Sequence, residues 1–372
     1  MRAIENCTES PEQLGFTKEG LQLADRIVRG GWESGIYPAA VYLILRDGKI
    51  AAWGSVGEAQ PGSDPARRAA MSTIFDMASL TKPITATLLL QHAERGELHL
   101  GMRVADFLPE AAESPCGPLT LFQLATHTSG LPPWKPLYKT ERGSALEEIF
   151  ATELEAEPGR RYAYCDLGYI LLGAILERVT GQSLGKLAEN MIFEPLGISD
   201  TGFCPAEVLL ERIAATSNCP MREGKTLIGE VHDANAHSMQ GVAGHAGLFS
   251  TAPDMARFAV SLFHPEDAKP MQIPPLLRPL TRRLALSRQI DPAIGGHSIG
   301  WFTAPNGMLP RGDLFSERTI GHTGFTGTLL LHDPEWAVTI ILLTNRVCNP
   351  EDGARMIRLR RLLANAVAGA VA

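Results

Sequence analysis

Strand-like runs stand at both ends of the chain, and segments with helical periodicity fill its middle. The runs are rich in β-branched and aliphatic residues and are bounded by turn residues; they are 39–45, 50–56, 298–303, 319–333 and 337–345. Arg46-Asp47-Gly48 predicts a hairpin between the first two runs, and Asp333-Pro334-Glu335 predicts a turn between the last two.

Helical spacing of apolar residues predicts helices over 18–30, 84–94, 119–127, 167–180, 183–192, 254–263, 277–286 and 352–372. Strands and helices do not alternate along the chain, which argues against a parallel, doubly wound sheet. The predicted fold is α/β of the α+β kind: an antiparallel sheet built from both termini, flanked by helices, with a mainly helical inserted region. The predicted domains are 1–74 with 296–372, and 75–295, with the active site at their interface.

Composition and charge argue against one class of binding partner. Hydrophobic residues make up 45% of the chain, an ordinary fraction for a globular protein. The formal net charge is 34 − 41 = −7, and the basic residues do not gather into one block. The cluster Arg355–Arg361 alternates with apolar residues, as an amphipathic helix does. Nucleic acid is therefore not an expected partner.

The chain shows no targeting segment or metal motif. Met1–Cys7 has no basic start followed by an apolar core, so no secretory signal is visible. No uncharged apolar run approaches the ~20 residues that span a bilayer. The cysteines lack the close spacing of a zinc site or a redox motif; they are Cys7, Cys116, Cys165, Cys204, Cys219 and Cys348. The prediction is a cytoplasmic protein with reduced thiols, no metal and no cofactor; a signal removed from the chain would change the compartment.

Candidate chemistry begins with Ser79-Leu80-Thr81-Lys82, just before the apolar helix that starts at Ile84. Residues three apart on a helix share a face, so Lys82 would stand beside the Ser79 hydroxyl. Unpaired N–H groups and the helix dipole would also favour an alkoxide there. The spacing by itself fits a capped helix followed by a solvated lysine equally well, because the motif is short.

Two further motifs follow in order: Tyr164-Cys165-Asp166 before an apolar helix, and His322-Thr323-Gly324 in a predicted strand. The ordered set resembles the serine β-lactamase and penicillin-binding protein superfamily, in particular the branch that holds class C β-lactamases, D-alanyl-D-alanine peptidases and related esterases. Longer stretches are similar to that branch as well: 124–132, 194–198, 241–251 and 342–346. The resemblance covers most of residues 18 to 365.

The resemblance implies a role for each motif residue. Ser79 would be the nucleophile that forms an acyl-enzyme. Lys82 or Tyr164 would take its proton, and the sequence leaves open which of the two does so. The backbone N–H groups of Ser79 and Phe325 would form the oxyanion hole. The substrate-binding residues would be Asp166, His322, Thr323 and Gly324.

Two residues depart from the pattern of that branch. His322 stands where enzymes active on β-lactams usually have lysine, and Asp166 stands where asparagine is commoner. A mostly neutral histidine and an added carboxylate both disfavour an anionic substrate. The prediction is a serine hydrolase that acts through a Ser79 acyl-enzyme on ester or amide substrates, with weak reactivity towards β-lactams. The alternatives are a D-alanyl-D-alanine carboxypeptidase, a true class C-type β-lactamase, or a non-catalytic binding protein of the same fold.

Two competing patterns carry less weight. Gly181-Gln182-Ser183-Leu184-Gly185 matches the G-x-S-x-G nucleophile elbow, but the elbow needs a preceding strand and a helix is predicted here. His232, Asp233, His237 and His245 lack the spacing of a known zinc motif, so structural hydrogen bonding is predicted for them.

Overall fold

The computed structural model describes residues 10–140, 144–263, 273–349 and 353–372. Cys7 and the predicted start of the last helix at Asp352 lie outside the described residues, as does the 1–9 part of the first predicted domain.

The larger sheet has seven antiparallel strands in the order β3-β2-β1-β10-β9-β8-β7. Its strands are β1 (Ala39–Arg46), β2 (Lys49–Gln60), β3 (Arg67–Arg68), β7 (Phe302–Thr303), β8 (Ile320–Thr323), β9 (Leu329–Asp333) and β10 (Val338–Thr344). Strand β10 pairs with β1 in the register Ala40 to Thr344, so the two ends of the chain meet in the centre of the sheet. The predicted antiparallel sheet built from both termini is confirmed.

The α-helices are α1 (Lys18–Glu33), α2 (Thr81–Glu94), α3 (Val104–Phe107), α4 (Leu121–Ala125), α5 (Ala145–Phe150), α6 (Asp166–Thr180), α7 (Leu184–Ala188), α8 (Glu194–Leu196), α9 (Ala234–Ser238), α10 (Ala252–Phe263), α11 (Pro279–Leu286) and α12 (Gly353–Gly369). A π-helical turn, Glu189–Phe193, joins α7 to α8. Short 3₁₀ turns cover Ala78–Leu80, Pro109–Ala111, Leu137–Lys139, Glu207–Arg212 and Arg346–Cys348.

The two faces of the sheet pack against different helices. In β1, Tyr42 and Ile44 join a core with residues of α1 and α12, whereas Leu43 and Leu45 join the larger core formed with the inserted helices. Side chains alternate across a strand, so β1 is buried on both faces. The larger core includes residues on both sides of the predicted domain boundaries, and the division into two domains stays a prediction.

The predicted strand 319–333 is wrong as a single element. It is two strands, β8 and β9, joined by a tight turn through Gly324 and Gly327. Gly324 N donates to Thr328 O, and Gly327 has a φ of +101°, which a residue with a side chain rarely adopts. The predicted strand 298–303 is also shorter, because only Phe302 and Thr303 pair with β8.

A second, three-stranded sheet was not predicted. Its order is β4 (Phe75–Asp76), β6 (Leu248–Ser250) and β5 (Gly202–Phe203). These strands are two or three residues long, too short to show an alternating pattern. Strand β4 ends three residues before Ser79, so this sheet fixes where the serine turn begins. No helix among the described residues is long and apolar enough to cross a bilayer.

Candidate active site

Ser79 lies in the 3₁₀ turn between β4 and α2. The preceding residue, Ala78, has a left-handed φ of +47°, a conformation that costs an ordinary L-residue about 1–2 kcal/mol. The buried Asp76 carboxylate offsets this cost: Oδ1 accepts from Ala78 N at 2.8 Å and Oδ2 accepts from His232 N at 2.7 Å. The serine is therefore presented on a strained turn that its surroundings hold in place.

The β8–β9 turn is tied to the same segment. Thr326 Oγ1 donates to Asp76 O at 2.7 Å, and Thr328 Oγ1 donates to Met77 O at 3.1 Å. These bonds join residues about 250 positions apart in the chain. They bring the predicted third motif against the predicted first one.

Lys82 is fully buried in the first turn of α2, and its Nζ lies 3.0 Å from Ser79 Oγ. The amine also lies 2.7 Å from Asp166 Oδ1 and donates to His245 O at 3.2 Å. The face of the Tyr164 ring lies 4.8 Å from Nζ. A solvated lysine is therefore excluded, and the Ser79–Lys82 pair predicted from helical spacing is present.

Tyr164 is partly buried, and its hydroxyl oxygen is shielded from solvent with no hydrogen-bond partner of normal geometry among the described residues. Burial raises the pKa of Tyr164 well above its ordinary value, the Asp166 carboxylate raises it further, and the Ser79 hydroxyl lowers it. The phenol is therefore protonated at neutral pH and faces the serine.

His127 was not singled out from the sequence, although it lies in a stretch similar to the related branch. Its backbone O accepts from Ala163 N at 2.9 Å, and its Nδ1 accepts from Cys165 N at 3.0 Å. These two hydrogen bonds hold Ala163 and Cys165, the residues on either side of Tyr164, in position. His127 lies far from Tyr164 in the sequence and has no catalytic spacing, so the resemblance of its stretch to the related branch is the sequence signal that could have pointed to it. In the structure its left-handed φ of +57° also sets it apart.

The two backbone groups predicted for the oxyanion hole are unengaged. Neither Ser79 N nor Phe325 N donates a hydrogen bond to another described residue. Both residues line one cleft of about 320 Å³. The other lining residues are Tyr164, Gly307, Met308, Pro310, Thr323, Gly324, Arg346, Gly353, Met356, Ile357, Arg360 and Arg361.

His322 lies behind this cleft. Its side chain is fully buried, stacks on Phe302 with 4.4 Å between ring centroids, and bonds through Nδ1 to Thr323 O at 2.9 Å. Burial and the nearby Lys82 lower the pKa of His322 well below its ordinary value. It is therefore neutral. Thr323 and Gly324 line the cleft, whereas Asp166 contacts Lys82 behind it.

Three buried imidazoles, His127, His297 and His322, pack around Tyr164 and Phe302. Burial lowers the pKa of all three, that of His297 to about 3. Because the unfolded chain binds protons at ordinary histidine pKa values near ~6.5, stability should be fully present above that pH and fall as the pH drops below it.

We expect His297→Phe to reduce the slope of the unfolding free energy against pH by about 1.4 kcal/mol per pH unit between ~pH 6 and 4. This is the slope that one proton bound only by the unfolded chain produces. Urea unfolding at several pH values measures this slope. Burial raises the pKa of Asp76 to about 6, so this carboxyl contributes a slope of the opposite sign over the same pH range. Because both proteins contain Asp76, its contribution cancels when the slope of the variant is subtracted from that of wild type. The exposed His99 provides the control, His99→Gln. Equal slopes for wild type and His297→Phe would contradict the prediction.

Gly324 sits where the β8–β9 turn approaches the serine turn. A Cβ there would lie 2.5 Å from Met77 O and 2.1 Å from Thr328 Oγ1. We expect Gly324→Ala to lower ester turnover at least ~10-fold, because the turn must move away from Ser79 and carry Phe325 N with it. Gly307→Ala is the control, since Gly307 lines the same cleft with open space around its Cα. Comparable losses in both variants would show that close approach at Gly324 is not the cause.

The competing patterns form ordinary structure. Ser183 is the N-cap of α7 and follows helix α6, so the nucleophile elbow is absent at this position. His245 Nε2 lies 3.0 Å from Asp233 Oδ1, and His232 Nε2 bonds to Ser217 O at 3.0 Å. Burial raises the pKa of the Cys165 thiol to about 12, which keeps it unreactive.

A sheet made from both ends of the chain, with Ser79 and a buried lysine meeting at the start of an inserted helix, defines a serine hydrolase of the β-lactamase-like fold. The family model described as Beta-lactamase matches residues 24–365. The chain belongs to the β-lactamase family.

Relatives and solved structures agree with this assignment. A protein of Escherichia coli K12 named "Putative D-alanyl-D-alanine carboxypeptidase" is 35% identical, covering 92% of this chain and 86% of its own. The N-acetylmuramyl-L-alanine amidase of Bacillus subtilis is 32% identical, covering 92% and 85%. The structure of EstCE1, a hydrolase with promiscuous acyltransferase activity, has a TM-score of 0.75 at 21% identity, covering 94% and 98%.

Proposed function

We propose that the protein hydrolyses an ester or amide bond of a small or peptide-like acyl donor through a covalent acyl-enzyme on Ser79. The observation that carries the proposal is the 3.0 Å contact between Ser79 Oγ and the buried Lys82 Nζ at the wall of a cleft. A nucleophile within hydrogen-bond reach of a base is the general signature of covalent catalysis.

In acylation, Ser79 Oγ attacks the acyl carbon while its proton moves to Lys82 Nζ. Lys82 has the direct contact with Oγ, whereas the raised pKa of Tyr164 keeps the phenol protonated. Asp166, 2.7 Å from Nζ, stabilises the ammonium that forms. Tyr164 is then placed to donate a proton to the leaving group, and it recovers one from the ammonium.

Charge develops on the acyl oxygen during attack. The unengaged N–H groups of Ser79 and Phe325 are the proposed donors to it, each contributing roughly 3 kcal/mol to transition-state stabilisation. Water then attacks the same carbonyl, Ser79 Oγ leaves, and a proton returns to it. The exposed Phe325 side chain, packed 4.6 Å below the Arg346 guanidinium, forms the outer wall.

Mass spectrometry of the protein after mixing with a p-nitrophenyl ester or a penicillin tests this proposal. The expected result is one added acyl group on the peptide that contains Ser79. A protein that hydrolyses no such ester and takes up no penicillin would favour the non-catalytic alternative.

The cleft wall favours a second candidate, a peptidase for chains that end in a free carboxylate. Arg346 and Arg361 line the cleft, and no aspartate or glutamate is among its described lining residues. Because His322 is buried and neutral, these arginines would supply the positive charge that a lysine at this position supplies in the related enzymes active on β-lactams. The name of the Escherichia coli relative fits this chemistry.

For that candidate we expect a D-alanyl-D-alanine peptide with a free carboxylate to be cleaved at least ~10-fold faster than the same peptide amidated at its C-terminus, since the amide carries no charge for an arginine to pair with. Steady-state kinetics on the two peptides measure the ratio. A ratio near one, with good ester turnover, would favour the ester hydrolase instead.

A further inference from the structure

Arg360 of α12 reaches the cleft from beneath the β8–β9 turn. Its side chain is only 7% exposed, and its Nη2 donates to Gly324 O at 3.0 Å and to Thr328 O at 2.8 Å. Its Nε has no partner among the described residues. Thus a buried guanidinium is held by backbone carbonyls alone within the described part of the chain.

One of those carbonyls belongs to the peptide group that carries a proposed oxyanion donor. Gly324 C=O and Phe325 N–H are the two ends of a single planar unit. A cation bonded to the oxygen draws electron density from the nitrogen, which makes the N–H a stronger donor, as in cooperative hydrogen-bond chains. The same bond fixes the plane of the peptide, and therefore the direction in which Phe325 N–H points.

The second carbonyl reinforces this geometry. Thr328 O accepts from both Arg360 Nη2 and Gly324 N, so the guanidinium is bonded to both ends of the turn. Thr328 Oγ1 in turn donates to Met77 O, two residues before Ser79. A continuous set of hydrogen bonds thus runs from Arg360 through the turn to the serine segment.

We propose that Arg360 is a positioning residue for the reaction: by binding Gly324 O it orients and polarises the Phe325 N–H that stabilises the oxyanion. This inference rests on the proposed acyl-enzyme function. Burying a cation without a carboxylate partner carries a large desolvation penalty, which an apolar side chain of similar length would avoid. A purely structural role would therefore not require an arginine here. Burial and the neighbouring Arg346 lower the pKa of Arg360 to about 9, so the guanidinium still carries its charge at neutral pH.

The test compares full-length wild type with Arg360→Met, Arg360→Lys and Arg358→Met, the last altering an exposed arginine on the same helix. Each is assayed on an uncharged p-nitrophenyl ester and on the matching thionoester, whose sulfur is a poor hydrogen-bond acceptor. The inhibition constant of a phenylboronic acid, which forms a tetrahedral serine adduct, is measured in parallel, with thermal melting to confirm folding.

We expect Arg360→Met to lower kcat for the ester at least ~10-fold with little change in KM, and to weaken boronate inhibition by a similar factor. Thionoester turnover should fall much less, because its transition state depends little on the donor. Arg360→Lys should be intermediate, since the ammonium keeps the charge but lacks the rigid planar geometry of the guanidinium. Arg358→Met should match wild type. If Arg360→Met does not fold, Arg360→Lys provides the comparison.

Equal losses on ester and thionoester, or a rise in KM at constant kcat, would overturn the proposal in favour of a packing or substrate-binding role. Unchanged ester turnover in a folded Arg360→Met would overturn it outright while leaving the Ser79 chemistry intact. A wild type without ester activity, or activity that survives in Ser79→Ala, would instead remove the proposed function and this inference with it.

Discussion

Ser79→Ala should lower kcat for a p-nitrophenyl ester by at least ~10⁴-fold and should abolish the acyl-enzyme seen by mass spectrometry. The change removes the Oγ atom that we propose forms the covalent bond, while the unengaged N–H groups that we assign to the oxyanion hole remain. Nucleophile removal in serine hydrolases typically leaves only the residual rate that binding and the oxyanion hole provide. Stopped-flow and steady-state assays on purified protein measure the loss.

Ser183→Ala is the matched control, because Ser183 is the serine of the G-x-S-x-G sequence and caps α7 at an exposed position. It should retain wild-type turnover and lose about 1 kcal/mol of stability. A Ser79→Ala protein that still turns over the ester, combined with an inactive Ser183→Ala, would transfer the nucleophile to the second serine and refute the site described above.

Lys82→Met should lower kcat/KM by ~10²–10⁴-fold, the usual range for removing a positioned acid–base group. Methionine fills the buried channel of the lysine stem but has no amine to contact Ser79 Oγ or Asp166 Oδ1. The Asp166 side chain is 18% exposed, so water can solvate part of the carboxylate and the fold should survive. Single-turnover acylation rates isolate the affected step.

Lys186→Met provides the comparison for a lost surface ion pair, since Lys186 lies 2.9 Å from Glu189 and is half exposed. It should change neither acylation nor stability appreciably. If Lys82→Met acylated within threefold of wild type, Tyr164 would have to be the group that accepts the serine proton, in spite of its raised pKa.

The spacing of apolar residues predicted those helices and strands that are long enough to show a regular repeat. The β1–β2 hairpin, α1, α6 and the closing helix match their predicted ranges to within a few residues. The β8–β9 turn was missed because its residues read as a continuous strand until Gly324 and Gly327 are seen to reverse the chain. The two-residue strand β4 shows no pattern at all, yet it sets the position of the serine turn.

The sequence likewise predicted the contact between neighbouring site residues but not the contacts between distant ones. Ser79 and Lys82 are one helical turn apart, so sequence spacing placed their side chains together. Tyr164 depends on His127, which holds the residues on either side of it from 36 or more positions earlier in the chain. No spacing rule connects such residues, because their contact is made by packing between α4 and α6.

The sequence alone predicted the antiparallel sheet from the β-rich ends of the chain, and it predicted a serine hydrolase because its ordered motifs resemble those of the β-lactamase family. Only the tertiary structure decided what the cleft presents to a substrate. It buried His322 as a neutral imidazole behind Tyr164 and brought Arg346, Arg360 and Arg361 to the wall instead. The physical reason is that charge and exposure depend on burial, and burial is set by contacts between residues far apart in the chain.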